Sequence, residues 1–218
     1  GLLNHSGQHN SLATLYPEKT IISSGISKWC GAGGWRLGTF AFPNELSWLL
    51  NGMKVVASET FTSVSAPIQY AAVKAFEGSP AIENYLVHSR RILSVIGNWC
   101  YQQLKQNNIR LIKPEGAFYL FPSFKNYKEK LKQKGITTSK QLAEALLIET
   151  GVAGLPGEDF GLKSKQLVLR LAYVNFDGKN ALEKSMKMDI DPLPDSFVKE
   201  NCPQIYLGIK KIIEWIQN

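Results

Sequence analysis

From Ala81 to Gln106 the chain carries its longest periodic segment, with Ile82, Leu86, Leu93, Ile96, Cys100 and Leu104 recurring on one helical face. About 26 residues at about 1.5 Å each predict a rod of about 39 Å, long enough to connect two domains. A boundary is therefore expected inside this helix. The 218 residues, 44% of them hydrophobic, suffice for one large core or two modest ones.

Upstream, Lys19 to Ser24 reads as a short β-branched strand that runs into the small-residue turn Gly25-Ile26-Ser27-Lys28, so Lys28 is expected at a strand end. After the glycine-rich stretch Trp29 to Arg36, Leu37 to Phe42 reads as a second strand. Pro43-Asn44-Glu45 opens a helix toward Leu50, and a helical run from Ile68 to Phe76 follows the polar stretch Thr62 to Pro67. Downstream, strands are expected at Leu111-Ile112, Ala117 to Phe121, Val152 to Leu155 and Leu167 to Val174. Helices are expected at Ser139 to Glu149, Asn180 to Met188 and Gln204 to Ile216, which together make an α+β layer with its own core. The stretch Asp189 to Cys202, with Pro192, Pro194 and then Pro203, reads as an extended insertion.

Composition removes several function classes. No apolar run reaches the roughly 18 residues that would span a bilayer, and Gly1 to Asn10 lacks the basic and apolar regions of a signal peptide. Cys30, Cys100 and Cys202 are odd in number and widely spaced, which favours a reducing compartment, the cytoplasm, over a disulfide framework. His5 and His9 are the only histidines that share a segment, and solvated loop residues account for them without a metal. The formal charge is +7, but its lysines are interleaved with acids; the densest basic stretch, Lys125 to Lys134, reads as a solvated helix face. Neither a membrane nor a nucleic acid is expected as partner.

The segment Ser24-Gly25-Ile26-Ser27-Lys28-Trp29-Cys30-Gly31-Ala32-Gly33-Gly34-Trp35-Arg36-Leu37-Gly38 carries the chemistry. It sets Lys28 among small and apolar neighbours, where desolvation would favour the neutral amine that attacks an aldehyde. Arg36 offers a planar guanidinium suited to a phosphate, the glycines let backbone approach an anion, and Ser24 and Ser27 add hydroxyls. A lysine for an aldehyde and an arginine for a phosphate match the needs of pyridoxal phosphate. The plainer reading makes Lys28 and Arg36 surface charges flanking a flexible loop.

The stretch SKWCGAGGWRLG resembles the lysine motif of the class I/II aminotransferases, whose fold is the α/β architecture of the fold-type-I pyridoxal-phosphate enzymes. Downstream segments follow in the family's order. Pro114 to Pro122 looks like its first small-domain strand, Gly151 to Gly157 with Phe160-Gly161 like the next strand and loop, and Leu169-Arg170-Leu171-Ala172-Tyr173 like the strand that bears the carboxylate-binding arginine. The similarity runs from about Ser11 to Met188. It implies that residues 1–80 are the rest of a large cofactor domain, 81–108 an interdomain helix, and 109–218 a complete small domain.

The same resemblance implies that Lys28 forms the internal Schiff base and later acts as general base, that Arg36 binds the phosphate, and that Arg170 binds the α-carboxylate of amino-acid and 2-oxo-acid substrates. The family's serine three residues before the lysine is Gly25 here, and Ser27 or Ser24 stands in for it. Thr62 and Ser63 match a region that reaches a neighbouring subunit, so a homodimer is implied. The family's aspartate, tyrosine, stacking aromatic and glycine-rich phosphate loop precede the lysine and have no counterpart among the 27 residues before Lys28. The expectation is a carboxy-terminal fragment that, alone, holds the cofactor weakly and turns over negligibly, because the carbanion formed at the α-carbon lacks its full electron sink. The competing readings are a carbon-sulfur lyase or synthase of the same fold, and a non-catalytic basic binding module.

Overall fold

The computed structural model describes residues 4–218. They form two compact units, divided inside the long helix between Val87 and His88.

In the first unit, β1 (Ile22–Gly25) passes directly into a one-turn helix, α1 (Ile26–Trp29), and the chain returns as β2 (Gly38–Ala41), antiparallel to β1. The expected turn at residues 25–28 is therefore helical, and Lys28 lies in its last turn. Ile26 and Trp29, three apart on that turn, both point into the core, which they form with Leu37, Ala72 and Leu86. Helix α2 (Ser47–Thr60) runs ten residues past the expected Leu50. Gly52 does not end it, because good helix formers continue to Glu59. None of its residues is buried by the described part of the chain. Helix α3 (Ala66–Glu77) starts with a proline in its first turn and ends at Gly78, whose φ of 74° suits only glycine well. Phe76 of α3 meets Trp29 edge-on at 5.4 Å.

Helix α4 (Pro80–Gln106) is the expected rod, 27 residues long. In the second unit its buried face includes Ile92, Ile96, Cys100 and Leu104. There follow β3 (Tyr119–Leu120), α5 (Lys128–Gln133), α6 (Ser139–Thr150), β4 (Leu155–Pro156), β5 (Leu169–Ala172), α7 (Gly178–Met186), α8 (Ser196–Asn201) and α9 (Pro203–Gln217). The strands make one antiparallel sheet in the order β3-β5-β4. Helix α6 opens on a capping box, in which Thr138 accepts from the Gln141 backbone N–H and the Gln141 side chain accepts from that of Thr138. Ile205, Ile209, Ile212 and Ile216 form the buried stripe of α9, which packs on α6.

Two expectations are corrected. Leu111-Ile112 forms no strand; beside it, Arg110 makes an isolated bridge to Ser123. Residues 189–203 are not merely extended: they include α8 and bury Leu193, Phe197, Val198 and Cys202. This segment is tied to α4 by Arg91, whose guanidinium donates to the carbonyls of Ser185 and Met188, each at 3.2 Å, and to that of Ile190, and pairs with Asp191 at 3.3 Å.

Beside Arg91, His88 Nδ1 lies 2.9 Å from Ser185 Oγ and 3.3 Å from Arg91 Nη1. A guanidinium can only donate, so Nδ1 is the acceptor and the ring is favoured neutral. Burial, and then the Arg91 charge, hold the imidazole below its ordinary value of 6.5. The stabilisation this gives is present above that unfolded-state value and is lost as pH falls through the lower folded-state value. The urea midpoint of the chain should drop on acidification below about pH 6.5, and His88→Gln should flatten that dependence.

Gly97, in the middle of α4, is required by close packing. A Cβ there would stand 2.8 Å from the Tyr173 hydroxyl and 3.0 Å from Pro114 Cγ. The same hydroxyl donates to the Ala117 carbonyl at 3.1 Å, so Gly97→Ala must displace it. Overpacking of about 1–3 kcal/mol outweighs the roughly 1 kcal/mol gained in helix propensity, and equilibrium unfolding should show net destabilisation.

Candidate functional site

Three short elements build the lysine region. β1 pairs with β2 so that Gly25 faces Gly38 and Ser24 faces Thr39. The chain cannot easily carry a side chain at 25, since a Cβ there would lie 3.1 Å from the Leu37 carbonyl oxygen. This favours glycine at the position where the resemblance leads one to expect serine, and leaves Ser24 and Ser27, both half-buried, as the nearby hydroxyls. Helix α1 packs against the single 3-10 turn Gly33–Trp35, which ends at Arg36. Arg36 has a left-handed backbone, φ 54°, unusual for a residue with a side chain, and its Nη1 donates to the Gly33 carbonyl at 2.8 Å. Lys28 and Arg36 thus sit on two turns that touch one another.

Both side chains are exposed. The burial that the sequence led us to expect around Lys28 is not supplied by this unit, because the apolar neighbours Ile26 and Trp29 turn into the core instead. Thr62, at φ 67°, and Ser63 line an open cavity of about 740 Å³ with Leu37, Gly38 and Thr39. The residues present fit pyridoxal phosphate in chemistry: an exposed primary amine, a guanidinium set by a strained backbone on the adjoining turn, and glycines at 31, 33 and 34 between them.

Arg170 belongs to the second unit. It sits on β5 opposite Leu155 of β4. Its guanidinium carbon lies 4.5 Å from the centre of the Tyr119 ring and 4.4 Å from that of Phe160. Among the described residues no carboxylate pairs with its side chain and no acceptor takes its hydrogen bonds. The sequence marks Tyr119 only as part of the strand segment Pro114 to Pro122, and Phe160 only as part of a loop. No local pattern could link them to an arginine of a different strand.

None of the three thiols has, among the described residues, a neighbour that would activate it as a thiolate. Burial pushes Cys202 up to about 12 and Cys100 higher still, and raises Cys30. Among the described residues no cluster of three metal-ligating side chains occurs, and no helix is long and apolar enough to cross a membrane.

Comparison with known proteins identifies the family. Residues 4–181 match the family model of aminotransferase class I and II. The chain is 33% identical over 185 residues to an aspartate aminotransferase of Geobacillus stearothermophilus, covering 83% of this chain and 43% of that enzyme. It is 33% identical over 157 residues to an asparagine–oxo-acid transaminase of Streptococcus mutans, covering 72% and 37%. Its fold superposes on the aromatic aminotransferase of Pyrococcus horikoshii with a TM-score of 0.66 at 28% identity, over 93% of this chain and 50% of that one. The chain therefore belongs to the class I and II aminotransferase family, and spans about half the length of the relatives it matches.

Proposed function

We propose that the protein containing this chain is a pyridoxal-phosphate-dependent aminotransferase that moves an amino group between an amino acid and a 2-oxo acid. The observation that carries this is the meeting of the Lys28 and Arg36 turns within a chain of this family. The first unit is then the remaining part of a cofactor domain and the second a substrate-carboxylate domain, in a protein that works as a homodimer in the cytoplasm.

Lys28 would hold the cofactor through its amine, and the same amine would move the proton of the substrate α-carbon. Arg36, with the hydroxyls of Ser24 and Ser27, holds the phosphate, and Arg170 holds the substrate α-carboxylate in a bidentate grip. Bound pyridoxal phosphate supplies the electron sink for the pair left at that carbon.

Lys28 is exposed, so these 218 residues alone should take up the cofactor weakly and turn over negligibly. Borohydride reduction of the chain in dilute pyridoxal phosphate, followed by peptide mapping, tests the reading. Label concentrated on Lys28 supports it, whereas label spread evenly over the lysines refutes it.

A further inference from the structure

We propose that Tyr119 and Phe160 are positioning residues that hold the Arg170 guanidinium as a receptor for a planar carboxylate. This rests on the proposed role of Arg170 and deepens it.

The sheet brings the three residues together. In the antiparallel register, Tyr119 faces Ala172, so Tyr119 is a diagonal neighbour of Arg170 on the same face of the β3–β5 pair. Leu155 faces Arg170 from β4, and five residues later the 3-10 turn Gly157–Phe160 delivers Phe160. Each ring is braced by another aromatic: Phe118 lies 4.6 Å from Tyr119, and Phe121 meets Phe160 edge-on at 5.5 Å. Gly157 permits the turn, for a Cβ there would crowd Leu162 Cδ1 at 3.0 Å and the Val168 carbonyl at 3.1 Å.

Guanidinium hydrogen bonds lie in the plane of the group, while its weakly hydrated faces stack on aromatic rings. Held by ring contacts, and with no acceptor for its side chain among the described residues, Arg170 keeps its in-plane donors available. An arginine fixed by a carboxylate of the chain would have spent those donors, and one left in solvent would give up side-chain entropy on capturing an anion. The ring cradle avoids both, and it favours the flat two-oxygen edge of a carboxylate over a neutral amide or an amine.

The test follows the Arg170 Nε resonance of the 218-residue chain during titration with succinate, with thermal unfolding as a control for folding. The parent chain should bind through Arg170. Tyr119→Leu and Phe160→Leu should each weaken binding by about fivefold and broaden the guanidinium signals, while Tyr119→Phe and Phe160→Tyr retain affinity. Leucine variants that stay folded and bind as tightly as the parent overturn the inference and leave the role of Arg170 intact. A parent chain whose Arg170 resonance ignores succinate overturns the carboxylate role itself.

Discussion

Replacing Lys28 by alanine is expected to abolish the specific pyridoxyl label altogether, while Arg36→Ala should reduce it by about tenfold or more without moving it. The chain has many lysines, and an aldehyde condenses with any exposed amine. Selectivity for Lys28 must then come from the phosphate, which docks on the adjoining turn and raises the local concentration of the aldehyde near one amine. A charge-assisted bidentate grip is worth about 1.5–3 kcal/mol, hence the tenfold figure. Arg36→Lys should recover little of it, because a point charge cannot reproduce the fork, and the Nη1 bond to the Gly33 carbonyl would be lost as well. Quantitative mass spectrometry of the reduced chain measures both effects, and a Lys28→Ala chain labelled as efficiently as the parent would sink the assignment.

The largest structural effect is expected at Arg91. Its side chain is 14% exposed, and it donates to three carbonyls at the end of α7 and in the segment after it. Its partner Asp191 is 74% exposed, so the ion pair contributes little and the carbonyl bonds carry the effect. Arg91→Ala should destabilise the second unit by about 2–4 kcal/mol, leaving helix-end carbonyls unpaired, whereas Asp191→Asn should cost less than about 1 kcal/mol. Urea unfolding gives the energies. Hydrogen exchange should place the lost protection in Gly178–Met186 and the segment that follows it, and uniform loss across α9 would contradict the account.

What the sequence made legible was what neighbouring residues decide among themselves. Helix α4 was readable because its apolar face repeats over 27 residues, and α9 because its isoleucines fall four and three apart. The lysine segment was readable as chemistry because its residues are contiguous. The strands were readable in place but not in extent, since a β ladder reaches only as far as a distant partner runs alongside. Ala117 to Phe121 keeps just Tyr119–Leu120, as Ala117 turns left-handed at φ 55°. Helix α8 was hidden by the prolines before it, which speak for an extended chain until Phe197 and Val198 find a core. The setting of Lys28 was misjudged for a related reason: small and apolar neighbours in sequence surround a side chain only if they face it, and on α1 they face away.

Burial sorts the three thiols by reagent access. Cys100 and Cys202 are wholly enclosed, while Cys30 is only partly covered and lies two residues beyond Lys28. A maleimide dye applied to the folded chain should therefore mark one position, placing a spectroscopic reporter beside the amine without any engineered cysteine.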